Sequence, residues 1–210
     1  TLTTRDRVKD KEEQTPMCGV PYHSSDSYIA RLVAKGYKVA ICEQMEDPAL
    51  AKGLVKRDIV RIVTPGTVTE STMLEESRNN YYACICRSGE SWGVCFCDIS
   101  TGAFYATSAR GTDAEEAVCN ELGSFSPVEV LLGGGADDGE MLKGVLQERL
   151  HCCVNHGESV FEYEACERLV CEQFGKSIAQ LGLESEPEVV SAAGALLATL
   201  RDAQKNAIPH

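Results

Sequence analysis

Three strand-like runs between residues 79 and 110 constrain the fold of this chain more than any other feature. They read NYYACICRS, SWGVCFCDIS and GAFYATSA. Short turn sequences at residues 88–90 and 100–102 separate them. Runs rich in β-branched and aromatic residues that are joined by tight turns predict an antiparallel β-meander.

The chain has eleven cysteines, and four of them flank Ile85 and Phe96 in the first two runs, at positions 84, 86, 95 and 97. Residues two apart on a strand share a face, so each pair is predicted to lie on one face. No C-x-x-C spacing occurs, and the N-terminus has no apolar export segment. We therefore interpret the cysteines as small buried hydrophobes in a reducing cytoplasm rather than as a metal site.

Helix and strand signals alternate after the meander. Helical patterns begin at TDAEEAVCNELG, DDGEMLKGVLQERL, FEYEACERLVCEQFG and EPEVVSAAGALLATLRDAQK, and PVEVLLGGG reads as a strand. Thr112 with Glu115 three residues on predicts a capping box. Strands and helices in this order predict an α/β (α+β) fold with a mixed sheet flanked by helices.

The first 80 residues read as a smaller α/β unit of loop, helix, strand, helix and strand. Tyr28, Ile29, Leu32 and Val33 recur at helical spacing behind N-cap serines, and residues 47–53 read as a short second helix. The strands are YKVAICEQ and DIVRIVTPG.

Charge divides the chain near residue 80. Residues 1–80 hold 12 basic and 12 acidic residues, which leaves 8 basic and 20 acidic residues for 81–210 and places the whole net charge of -12 there. This break predicts two domains, of which the second is repelled by polyanions. No run of about 18 apolar residues is present, so no membrane span is predicted.

Catalytic motifs do not form. Gly175, Lys176 and Ser177 match the end of a phosphate-binding loop, but Val170 stands where that motif needs its first glycine. Asp98 ends a meander strand without predicted carboxylate partners, although a metal-dependent nuclease stays an alternative. A protein-interaction scaffold is a second alternative. Basic clusters at residues 5–11 and 52–61, beside the apolar loop PMCGVPYH, favour nucleic-acid binding.

The first part of the chain resembles the mismatch-recognition domain of the bacterial MutS family. The blocks that carry the resemblance are PMCGVPYH, KGYKVAICEQ, DPALAKG and VRIVTPGT. From about Leu74 on, DISTG and QFG are similar to the family's connector domain. The resemblance implies a mismatch-recognition domain over residues 1–73 and an RNase H-like, non-catalytic connector over 74–210.

The resemblance also implies which residues meet DNA. Arg5 would contact a phosphate or the groove edge, and Met17, Cys18 and Gly19 would lie against the duplex. The Phe and Glu that probe a mispair in this family belong to an F-Y-E motif expected upstream of residue 1. We therefore expect weak, mismatch-blind binding by this chain. For Tyr22, as for His23, packing of the loop onto the next helix is expected.

The remaining implications concern cofactors and partners. ATP and Mg serve the family's ATPase domains, expected downstream of residue 210, so the resemblance implies no catalytic, metal or ATP site and no cofactor here. Partners implied are mispaired duplex DNA, a MutL-type protein that engages the connector, and a second copy of the full-length protein.

Overall fold

The computed structural model describes residues 2–4, 16–47, 49–50, 53–69, 73–74, 78–157 and 159–205. Within these residues, no helix combines the length and the apolar character that crossing a membrane requires. The α/β prediction is confirmed, since helices and strands alternate along the described chain.

The first part of the chain contains two antiparallel strand pairs and one helix. Strand β1 (Leu2–Thr4) pairs with β2 (Pro16–Cys18), and β3 (Val39–Gln44) pairs with β4 (Arg57–Val63). Helix α1 covers Ser25–Val33. The predicted short helix at 47–53 lies partly outside the described residues, and its residues 49 and 50 form a turn.

A small core holds this part together. Its buried residues are Val33, Val63 and Val68, and Ile29 of α1 packs against them. Most other side chains of β3 and β4 are exposed or half-buried. The described residues of the first part therefore bury only a few apolar side chains.

The second part is built on a five-stranded mixed sheet. Its strands are β5 (Tyr82–Ser88), β6 (Ser91–Asp98), β7 (Ala103–Arg110), β8 (Glu129–Gly133) and β9 (Cys153–His156), in the order β7-β6-β5-β8-β9. The first three form the predicted antiparallel meander, and β8 and β9 continue the sheet in parallel. This is the mixed sheet expected of the connector domain.

Helices cover both faces of this sheet. They are α2 (Ala114–Phe125), α3 (Glu140–Gly144), α4 (Tyr163–Phe174), α5 (Ile178–Leu181) and α6 (Pro187–Gln204), and α3 continues into a π-helix at Val145–Leu150. One core packs α4 and α6 against the cysteine face of the sheet, and the other packs α2 and α3 against the opposite face. Successive side chains of β5 and β6 therefore point alternately into the two cores, and the cysteines share one face as predicted.

Helix α6 lies unusually close to its neighbours. A Cβ atom on Gly93 of β6 would overlap the backbone of Glu188, and one on Gly194 of α6 would overlap the Cα atom of Cys166. Both glycines therefore set the distance at which the sheet, α6 and α4 pack, because any side chain would force these elements apart.

Replacing Gly194 with alanine is expected to lower the free energy of unfolding by about 1–3 kcal/mol or more, because the new methyl overpacks the α4–α6 contact. The matched control is Gly144→Ala, since Gly144 has helical backbone angles and no atom within 4 Å of its Cβ position. Urea denaturation of both variants checks this. Equal stability of the two variants would contradict the close packing.

Burial alters the acidity of the cysteines in the α4–α6 core. Burial, followed by Glu188, raises the pKa of Cys86 from 9.0 to about 11, and burial with Glu162 does the same for Cys166. Burial with neighbouring thiols raises the pKa of Cys84 further. These thiols therefore stay protonated in the folded protein near neutral pH.

Because these pKa values are higher in the folded protein, their contribution to stability is complete below pH 9.0 and is lost as the pH rises toward 11. We expect the free energy of unfolding to fall by at least about 1 kcal/mol per thiol between pH 8 and pH 10.5. Urea titrations at several pH values measure it. Cys86→Ala should flatten the dependence, and a variant that keeps the full wild-type dependence would contradict the contribution of this thiol.

Candidate nucleic-acid interface and interdomain joint

The segment expected to meet DNA begins in a short ladder with the residues that precede Arg5. Strand β1 is antiparallel to β2, with Leu2 opposite Cys18 and Thr4 opposite Pro16. The segment that the sequence predicted to be a loop therefore begins with a strand, β2. Cys18 is exposed, and Gly19 follows it on the surface. Met17 belongs to this ladder, whereas Arg5 lies outside the described residues.

Gly19 has no role in the packing of the described chain. No atom of the described residues lies within 4 Å of the Cβ position that a side chain would add, and its φ is not in the left-handed region. Neither backbone conformation nor crowding within the described fold therefore requires glycine here. What glycine does provide is an exposed backbone that another molecule can approach closely.

The expected packing of Tyr22 and His23 against the next helix is wrong. The side chain of Tyr22 is 90% exposed, and His23 is exposed as well. Serine hydroxyls hold the loop instead: Ser25 Oγ donates to the carbonyl of Tyr22 at 2.7 Å, and Ser27 Oγ donates to that of Ser24 at 2.8 Å. The serines therefore bind backbone carbonyls rather than capping amides of α1.

The basic cluster at residues 52–61 divides between two roles. Lys56 and Arg57 are exposed, while Lys52 lies outside the described residues, as do residues 5–11. The Arg61 guanidinium donates to Thr69 Oγ1 at 3.0 Å and to the Thr67 carbonyl. Arg61 therefore stabilises the chain after β4, which leaves Lys56 and Arg57 as the cations available on this surface.

A buried carboxylate joins the two parts of the chain. Glu129, at the start of β8, is 0% exposed. Its Oε2 accepts hydrogen bonds from Thr64 Oγ1 at 2.5 Å and from the Gly66 amide at 2.7 Å, and its Oε1 accepts one from Asn155 Nδ2 at 2.6 Å. Three charge-assisted hydrogen bonds offset the cost of burying the charge. We call these residues, together with Tyr82, the Glu129 network.

Hydroxyl groups extend the Glu129 network. Thr64 donates its one hydroxyl proton to Glu129, and its hydroxyl lies 3.0 Å from that of Thr67, whose own proton also has the Ile62 carbonyl within reach at 3.2 Å. Burial and the nearby carboxylate raise the pKa of Tyr82 well above its usual value. Its ring lies 2.8 Å from the position of a Cβ on Gly66. A side chain at Gly66 would therefore separate the turn from the sheet.

Asp98 contributes hydrogen bonds at the same joint. It is fully buried, and its Oδ1 accepts from the amide and the hydroxyl of Ser100 at 2.9 and 2.6 Å. Its Oδ2 accepts a hydrogen bond from the backbone amide of Asn80. The side-chain amide of Asn80 donates to the Pro65 carbonyl at 2.8 Å. Across the part of the chain that the structure describes, no group of three or more His, Cys, Asp or Glu residues could hold a metal ion.

Sequence reasoning missed Glu129. The available signal was a lone acid inside the apolar run PVEVLLGGG. A carboxylate there is buried, and a buried charge needs donors from elsewhere in the fold. The identity of those donors, Thr64 and Asn155, is not a local property of the sequence.

These features define a two-domain α/β protein, in which a small domain with an exposed loop joins a mixed-sheet domain through buried polar contacts. The family model described as MutS domain I matches residues 1–72, and that for MutS domain II matches residues 80–210. The chain therefore belongs to the MutS family.

Curated relatives agree with this assignment. The DNA mismatch repair protein MutS of Ruminiclostridium cellulolyticum is 43% identical over 211 residues, which cover 100% of this chain and 24% of the relative. The protein of the same name from Acetivibrio thermocellus is 44% identical over 95% of the chain and 23% of the relative. That from Clostridium tetani is 51% identical over 70% of the chain and 16% of the relative. The chain thus spans about a quarter of the length of the first two.

Replacing Glu129 with alanine should lower the free energy of unfolding by at least about 3 kcal/mol, because three buried donors lose their acceptor. Glu129→Gln should cost less, about 1 kcal/mol, because a flipped Asn155 amide can accept from the new amide group. Glu140→Ala, on the exposed surface of α3, is the control. Urea denaturation measures all three. A Glu129→Ala variant as stable as this control would refute the network's role.

Proposed function

We propose that this chain is the DNA-contacting and connecting part of a mismatch-repair protein. Its relatives are named DNA mismatch repair protein MutS. The observation that carries the proposal is Gly19, exposed beside the β1–β2 ladder without any requirement from the described fold. A bare backbone beside an apolar loop suits close approach to a distorted minor groove.

In this proposal Arg5, Met17, Cys18 and Gly19 form the DNA contact. Arg5 meets a phosphate or the groove edge, and the other three lie against the duplex. Exposed cations at Lys56 and Arg57 add attraction that is independent of base sequence. Binding by this chain is weak and does not distinguish mispairs from matched pairs, because the F-Y-E motif that probes the mispair in this family does not occur in its sequence.

The second domain takes the role of a connector in this proposal. It transmits the state of the DNA-contacting domain through the Glu129 network and engages a MutL-type protein. The longer protein acts as a homodimer in the cytoplasm and uses ATP and Mg outside this chain. This part of it catalyses no reaction and uses no cofactor. The buried Asp98 supports that view, since three donors of the chain already occupy its carboxylate oxygens.

Fluorescence anisotropy with a labelled duplex, matched or carrying one mispair, tests the proposal. We expect affinity to fall steeply with salt, because each phosphate neutralised contributes about -0.9 to the slope of log K against log salt. Gly19→Val should weaken binding at least about fivefold, because the side chain keeps the duplex away.

The control for this experiment is Gly144→Ala, at another position with open space around its Cβ. Both variants should unfold at nearly the wild-type temperature, so a loss of affinity in Gly19→Val alone reports on DNA contact. Binding that is unaffected by Gly19→Val would overturn the placement of the duplex. Absence of any salt-dependent binding would favour a protein-interaction scaffold instead.

A further inference from the structure

A cleft of about 800 Å³ lies between the two domains, away from the β1–β2 ladder. One wall is the C-terminal end of α1 with the residues that follow it, and the other is formed by the segments that precede β8 and β9. Its volume falls within the range of small-molecule sites, which is about 300–1,000 Å³. Neither the family assignment nor the proposed DNA contact uses it.

The floor of the cleft is apolar. Val33 and Val68 are buried there, and Met73, Leu74, Val128 and Leu150 are half-buried around them. Cys152 and Cys153 complete the lining beneath the second wall. An apolar floor of this kind favours the planar or aliphatic body of a ligand.

Among the described residues that line the cleft, those with a permanent charge are all basic. Lys35 comes from the first domain, Arg78 from the segment between the domains and Arg149 from the second domain. None of the chain's 32 acidic residues lines the cleft within the described residues, although the chain has a net charge of -12. No ion pair joins any of these three cations to a carboxylate of the described chain. Their positive charge is therefore available to a ligand.

The backbone is irregular in the second-domain wall of the cleft. Arg149 and Leu150 end the π-helix Val145–Leu150, and His151 follows with a left-handed φ of 50°. Single π-helical turns and left-handed residues other than glycine are uncommon and occur often at functional sites. Here they place Arg149 and His151 at the cleft, rather than continuing a regular helix away from it.

We propose that this interdomain cleft binds a small amphipathic anion, in which a phosphate, sulfonate or carboxylate is attached to an apolar body. The anionic group lies among Lys35, Arg78 and Arg149, and the body lies on the apolar floor. Because the two walls belong to different domains, an occupant contacts both and stabilises the arrangement seen here.

The probe for the test is 8-anilinonaphthalene-1-sulfonate, which has both chemical features. In the unaltered 210-residue chain, saturating probe should slow iodoacetamide labelling of Cys152 and Cys153, as mapped by mass spectrometry. Labelling of Cys42, which is exposed on β3 outside the cleft, should not change. Equal labelling of Cys153 with and without probe would overturn the proposal without any variant having to fold.

Charge is tested with paired variants. Arg78→Gln with Arg149→Gln should weaken probe binding about tenfold, which corresponds to about 1.4 kcal/mol. The matched control, Arg168→Gln with Lys176→Gln, removes two exposed cations on and after α4, outside the cleft, and should bind as the wild type does. N-phenyl-1-naphthylamine, the same body without sulfonate, should bind about tenfold more weakly. Equal binding by the two double variants, or by the two dyes, would refute an anion site.

Discussion

The buried carboxylate of Glu129 is the interaction on which the arrangement of this molecule depends. It lies at the first residue of β8, in a sheet whose neighbouring positions are apolar, and its charge is tolerated because three donors from two separate segments reach it. Two of those donors, Thr64 and Gly66, belong to the end of the first domain. The fold of the second domain therefore includes a turn of the first, so the two domains are not independent bodies joined by a tether.

The sheet and α6 extend this coupling through the second domain. Helix α6 contacts β5 and β6 on the cysteine face and also contacts β4 of the first domain. Gly93 and Gly194 allow it to lie against both the sheet and α4 without space for a side chain. Close packing of this kind moves as a unit rather than deforming gradually. A displacement of β4 would thus reach α6 directly, which supports the connecting role proposed for the second domain.

Periodic features of the fold were predictable from the sequence, and non-local contacts were not. Alternation placed Cys84 and Cys95 on one face of the meander, as observed, because the side-chain period of a strand is a local property. The capping box proposed for Glu115 did not form. Its carboxylate accepts from the Leu142 amide at 2.9 Å and joins α2 to α3. A carboxylate near a helix start has several donors within reach in the folded state, and only the tertiary structure decides among them. For the same reason, the hydrogen-bond donors that reach Glu129 could not be predicted from the sequence.

Three glycines differ in whether packing within the described chain requires them. Gly66 lies against the Tyr82 ring, and Gly194 lies against α4, so each is required by packing within the chain. Gly19 has open space around it and an ordinary backbone conformation, so the described fold would accept a side chain there. The exposed backbone of Gly19 is accessible to another molecule, which a side chain would keep at a distance. In the proposed function, that molecule is a DNA duplex beside the β1–β2 ladder.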